Sequence, residues 1–191
     1  MNPSRSRDAM RKRSLSSGVC ACLFVSGAAT VPQGKPSASA GIEELRRFDR
    51  WLGSWAGKGW TSLVPGQRVE FQLREHVEKK AGDSVLLIEG RGVRKDDKGE
   101  EVVTHDGLAL VYFDTKSGEY RWNGHDRGWG AVDAQVLPLE GGLEWTFGVD
   151  AHGTRVRFAI HFDEKHWREE GDLTTDGETW TRFMEMTLER E

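Results

Sequence analysis

The sequence predicts an all-β protein: an antiparallel up-and-down β-barrel of about ten strands with one short N-terminal helix. Three features point there. From Trp55 to Leu188 apolar and polar residues alternate, the pattern of strands that bury one face. Turn signals separate those runs at Asp96-Asp97-Lys98-Gly99, Lys116-Ser117-Gly118, Glu140-Gly141-Gly142, Asp150-Ala151-His152-Gly153 and Asp176-Gly177. No second helical pattern follows the first, so nothing is at hand to cover a flat sheet; rolling it closed removes two open edges and hides its apolar face together. A β-sandwich uses the same strand pattern and is the alternative, disfavoured by uniformly short connections.

The chain begins differently. Arg5, Arg7, Arg11, Lys12 and Arg13 precede an apolar, small-residue segment from Leu15 to Ala29, the order of a secretory signal, with Ala38-Ser39-Ala40 or Gly27-Ala28-Ala29 as cleavage sites. Residues 1–40 are therefore expected to be a signal peptide and flexible leader, and 41–191 the barrel domain of an exported protein, periplasmic or extracellular. Cys20 and Cys22 both lie in the leader, so the processed domain has no thiol and no disulfide. Acylation of Cys22 is an alternative, disfavoured because the apolar run continues past it. Residues 1–40 hold six of the 27 basic residues and one of the 31 acidic ones; the remainder carries 21 against 30, a formal charge of −9. Such a domain has no basic stripe for nucleic acid or anionic lipid, and no apolar run is long enough for a spanning helix.

Each element has its own signal. Leu45, Phe48, Trp51 and Leu52 share one helical face, Glu43 and Glu44 favour the helix start, and Gly53 ends it. Strands are expected over Trp55 to Leu63, Arg68 to Arg74, Val85 to Arg94, Leu108 to Phe113 and Tyr120 to Asp126. Five more cover Trp129 to Leu137, Leu143 to Val149, Arg155 to Phe162, Trp167 to Leu173 and Trp180 to Leu188.

The run Leu52-Gly53-Ser54-Trp55-Ala56-Gly57-Lys58-Gly59 resembles the opening of nitrobindin-like and lipocalin-like barrels of the calycin group, where a helix leads into Gly-x-Trp on the first strand. Trp167-Arg168-Glu169, Asp176-Gly177-Glu178-Thr179-Trp180 and Phe183-Met184-Glu185-Met186-Thr187-Leu188-Glu189-Arg190 resemble a bacterial family of uncharacterised small barrels related to that group. The likeness spans Leu45 to Arg190 and implies a barrel whose tryptophan plugs one end; it carries no established activity. Its nitrobindin-like relatives imply a haem held by a histidine near the last strand, and with it an activity such as peroxynitrite isomerisation. Here Trp167 to Glu191 contains no histidine, so that ligand has no matching position and no cofactor is expected.

No nucleophile elbow, phosphate-binding glycine loop or paired-histidine zinc motif occurs, so no dedicated enzyme is indicated by motif. Histidines 76, 105, 125, 152, 161 and 166 do not form a metal pattern; His161, Asp163 and His166 read as a solvated turn. His105 and Asp106, like His125 and Asp126, are sequence neighbours and point to opposite strand faces, so neither is an acid–base pair. Strand phase turns Glu75, Glu169 and Arg182 inward, either as a buried polar anchor, with Arg182 paired to a carboxylate, or at a wet mouth. Trp122, Trp145, Trp167 and Trp180 share the inward phase, filling the interior or lining a cavity. The reading is a barrel for a small hydrophobic molecule, its lumen formed by Glu75, Trp122, Trp145, Phe147, Phe158, Ile160, Glu169, Arg182 and Met184. A haem-binding enzyme of nitrobindin-like type, or a filled barrel acting through its surface, are the alternatives.

Overall fold

The computed structural model describes residues 38–191 apart from position 65. The expected signal segment, with Cys20, Cys22 and the earlier cleavage site, lies outside the described residues. Ala38 opens the first helix, so cleavage after Ala40 would cut within it.

The chain enters through α1 (Ala38–Leu45), which tightens into a 3₁₀ segment, Arg46–Trp51. One continuous α-helix was the simpler expectation. The change of period follows from the spacing of Leu45, Phe48 and Trp51, three residues apart, which eclipse on one face when there are three residues per turn. All three are fully or almost fully buried.

Ten strands follow: β1 (Gly53–Val64), β2 (Gln67–Lys80), β3 (Val85–Lys95), β4 (Glu101–Asp114), β5 (Glu119–Asp126), β6 (Gly130–Leu139), β7 (Gly142–Gly148), β8 (Arg155–Phe162), β9 (His166–Thr174) and β10 (Thr181–Arg190). Each pairs antiparallel with its neighbours in sequence, and β1 also pairs with β10, closing the barrel. A sandwich is thereby replaced by a sheet without edges. Gly57 permits the closing seam: a Cβ there would lie 2.2 Å from the Thr187 carbonyl oxygen of β10.

The helical segment plugs the end where β1 begins. Trp51 stacks on Phe162 at 5.3 Å and meets Trp167 edge-on at 4.9 Å, while Phe48 packs edge-on against Tyr120. Trp55, the tryptophan of the Gly-x-Trp run, donates its indole N–H to the Trp51 carbonyl at 2.8 Å. Tethers hold the plug: Lys79 pairs with Asp49 at 2.7 Å, and Arg190 donates to the carbonyls of Arg50, Leu52 and Glu164 while lying over the Trp55 ring. This end is packed solid; the site lies toward the other.

Candidate functional site

Inside the barrel, above the plugged end, is a cavity of about 230 Å³. Inward glycines let its side chains lie close against the strands. Gly90, Gly107, Gly124 and Gly171 face inward on β3, β4, β5 and β9. A Cβ on Gly90 would sit 2.3 Å from Glu75 Oε1, and one on Gly171 would sit 2.9 Å from the Phe158 ring. A Cβ on Gly107 would crowd Asp126 and His105, both at 3.2 Å. Glycine in a strand weakens it, so inward glycines beside these groups mark places where close approach is needed.

One wall is aromatic. Trp122 of β5 stacks on Trp145 of β7 at 4.4 Å with ring planes 7° apart. Trp145 stacks in turn on Phe158 of β8 at 4.6 Å and on Phe147 at 5.4 Å. Phe183, Met184 and Met186 of β10 continue the wall, and Trp129 stands at the rim, 39% exposed and edge-on to Phe147. The rings turn their faces to one another, and together they make this wall apolar. The indole N–H of Trp145 is buried without a hydrogen-bond partner, and that of Trp167 faces the Glu169 carboxyl.

Facing that wall are four titratable groups from four strands. Glu75 of β2 and Glu169 of β9 are each 8% exposed. His105 of β4 holds Nε2 3.7 Å from Glu75 Oε1 and Nδ1 2.8 Å from Asp126 Oδ2. The other oxygen of Asp126 accepts from the backbone N–H groups of Gly128 and Trp129, at 2.6 and 3.0 Å, so the β5–β6 turn fixes it.

The charges follow from burial. Loss of water pushes the Glu75 carboxyl up to about 7, against the pull of His105. Burial, reinforced by the Glu75 charge, pushes Glu169 up to about 8, with His105 and the Trp167 indole acting the other way. His105 is raised although burial opposes its charged form, because Asp126, Glu75 and Glu169 all favour the imidazolium. Asp126 is held down at about 2: burial opposes this, but His105 and the turn amides outweigh it. Near neutral pH the cluster is an Asp126–His105 ion pair beside two carboxyls that keep or share protons.

The structure brings together most of the side chains read from the sequence. Glu75, Trp122, Trp145, Phe147, Phe158, Glu169 and Met184 line the cavity. Ile160 does not: it is fully buried beside Leu143 and Glu169 on the neighbouring strands, within the core rather than on the lumen wall. Arg182 is the larger correction. A register shift between Arg182 and Met184 inserts an extra residue into β10, so Phe183 takes the inward position and Arg182 turns to the outer face. There it pairs with Asp172 and Glu170, both at 2.7 Å. Trp180 also leaves the interior; it precedes β10 and lies under the Arg157 guanidinium, 4.5 Å from ring centre to charge.

His105 and Asp126 were not foreseen. Each does point away from its sequence neighbour, yet they meet one another across adjacent strands. The available signal was the phase of Val111, Ala109, Gly107 and His105 on β4 and of Tyr120, Trp122, Gly124 and Asp126 on β5. In both runs a glycine interrupts the apolar face just before the polar group, hiding the continuation.

The histidine nearest the last strand does not reach the lumen. His166 lies at the plugged end and pairs with Asp163, and His105 has its two ring nitrogens turned to carboxylates. Among the described residues no group of His, Cys, Asp and Glu side chains is arranged to hold a metal ion. Nor is any helix long and apolar enough to cross a membrane.

No protein-family model matches the chain, and no curated protein matches it in sequence. Solved structures do resemble it in fold. Rv2717c from M. tuberculosis superposes with a TM-score of 0.55 at 12% identity, over 77% of this chain and 96% of that one. The S-type phycobiliprotein lyase CPES from Guillardia theta gives a TM-score of 0.54 at 14% identity, over 81% and 94% respectively. At these identities the likeness is one of fold: a closed, antiparallel ten-strand barrel.

Proposed function

We propose that this barrel takes up a small, flat, largely apolar molecule in its lumen and reads a polar head on it with Glu75, Glu169 and the His105–Asp126 pair. The observation that carries the reading is the combination of a cavity of about 230 Å³ with groups of both kinds converging on it. An apolar concave site with a few placed polar groups is the usual form of a small-molecule site. Buried carboxyls without full partners are costly to keep, and a ligand that hydrogen-bonds them offsets that cost. The likeness in fold to a phycobiliprotein lyase is compatible with such a role. The polar anchor is the lumen cluster rather than Arg182. Membership of the uncharacterised small-barrel family of the calycin group, and export after removal of residues 1–40, belong to the same reading.

Native mass spectrometry of the protein from its own host tests it. Expected is a chain shortened at its N-terminus and carrying a low-mass adduct, lost in Trp145→Ala, which breaks the aromatic stack. An adduct retained by Trp145→Ala would place the ligand outside the lumen, and a host protein that carries none, and takes up no small aromatic probe, would end the reading.

A further inference from the structure

We propose that the lumen selects a flat organic cation: an amidinium, a protonated amine or a protonated nitrogen heterocycle carried on an apolar ring. The inference rests on the lumen being a ligand site and adds the charge of what enters it.

The charge census of the cavity is one-sided. Three carboxyl groups line it, Glu75, Asp126 and Glu169, against two histidines, His105 and His125, and no lysine or arginine. Asp126 is already answered by His105 and by the turn amides. His105 also reaches toward Glu75, but at 3.7 Å and with its other nitrogen committed. Glu169 has no ion-pair partner among the described residues. The cavity therefore contains more acid than it can neutralise with its own bases. In the ligand-free protein the excess is met by protons, since burial disfavours both glutamate charges. A cation placed between Glu75, Glu169 and the wall substitutes for a proton and leaves a charge-assisted contact behind.

The wall favours the same sign. Trp122, Trp145 and Phe158 line the cavity as one stack, and a cation set over a ring face that the stack leaves open is attracted to it. The buried N–H of Trp145 could donate to an anion, yet a carboxylate brought to it would also confront Glu75, Glu169 and Asp126. An amidinium on a benzene ring matches the geometry: a planar donor fork for a carboxylate, and a flat body for the stack.

Protons and the cation compete for the same carboxyls, so the affinity has a defined pH dependence. Every titratable group facing the site enters it: Glu75 from β2, His105 from β4, His125 and Asp126 from β5, and Glu169 from β9. Asp126 stays ionised throughout the neutral range, and His105, raised by its carboxylate neighbours, adds repulsion where it carries its proton. Cation affinity thus falls as pH drops through 8 and 7, by up to about tenfold per unit for each proton displaced.

Benzamidinium, benzamide and benzoate share one shape and differ in charge, which makes them the probes. Calorimetric titration of the purified protein at pH 8 is expected to show benzamidinium binding at least about tenfold tighter than benzamide, with benzoate weakest. Glu169→Gln or Glu75→Gln, whichever keeps the native circular dichroism, is expected to erase that preference and spare benzamide. Benzamide or benzoate binding as tightly as benzamidinium, with all binding lost in Trp145→Ala, would overturn the charge inference and leave the lumen reading standing. Binding by none of the three, or binding indifferent to Trp145→Ala, would overturn both.

Discussion

At the scale of single residues, the buried lumen glutamates are costly to ionise and make the stability of the fold depend on pH. Both have folded-state values above the ordinary 4.5, about 7 for Glu75 and about 8 for Glu169. The folded protein therefore holds more protons than the unfolded chain between about pH 4.5 and 8, and stability falls as pH rises through that window. His105, also raised, adds stability below its unfolded value that is lost as pH rises through its folded one. Asp126, held at about 2, works at the acid end: its contribution is present above its unfolded value and is lost as pH falls toward 2. The ligand-free barrel is expected to be most stable near about pH 4, above the unfolded value of Asp126 and below that of the glutamates. Thermal melts of Glu169→Gln should show a gain of up to ~3 kcal/mol over the parent at pH 8 that disappears toward pH 5; a gain independent of pH would remove the buried charge as its cause.

At the scale of elements, the strands owe their places to small departures from regularity. The bulge in β10 turns Arg182 out to Asp172 and Glu170, so Arg182→Ala is expected to lower the melting temperature while leaving probe affinity within about twofold, as it touches no lumen group. A loss of binding instead would return Arg182 to the lumen. Gly57→Ala drives a Cβ against the β10 backbone at the closing seam and should destabilise by ~1–3 kcal/mol; an unchanged melting curve would contradict that close approach. The same departures mark how far the sequence could be read. Period-two alternation and turn residues located all ten strands, eight of them to within two positions, while β2 runs on to Lys80 past the expected Arg74 and β4 begins at Glu101 rather than Leu108; the Leu45, Phe48 and Trp51 spacing announced the plug. Glu75 was legible because Val69, Phe71 and Leu73 set its phase, and Glu169 because Trp167 stands two residues before it. Arg182 was misplaced because an inserted residue inverts every assignment beyond it, and alternation alone does not reveal a bulge. His105 and Asp126 escaped because their partnership crosses two strands, and because Gly107 and Gly124 blank the pattern one step before each.

At the scale of the whole molecule, the barrel divides its two ends between stability and recognition. Leu45, Phe48, Trp51, Trp55, Phe162 and Trp167 make one end solid, while a cavity stays open above it. Phe48→Ala is accordingly expected to cost ~3–5 kcal/mol of stability with little change in probe affinity while the protein stays folded, measured by denaturant unfolding beside calorimetry. Equal losses of both would show that plug and lumen act as one unit. The central claim, that two carboxyl groups stand out of water inside this cavity, is open to direct measurement. Carbon-13 NMR of glutamate side-chain carboxyls across pH, with Glu75→Gln and Glu169→Gln for assignment, is expected to show two resonances titrating near 7 and 8, both shifted down by benzamidinium. If every glutamate titrates in the ordinary range near pH 4 to 5, the carboxyls meet bulk water and the lumen described here is not the one the protein has.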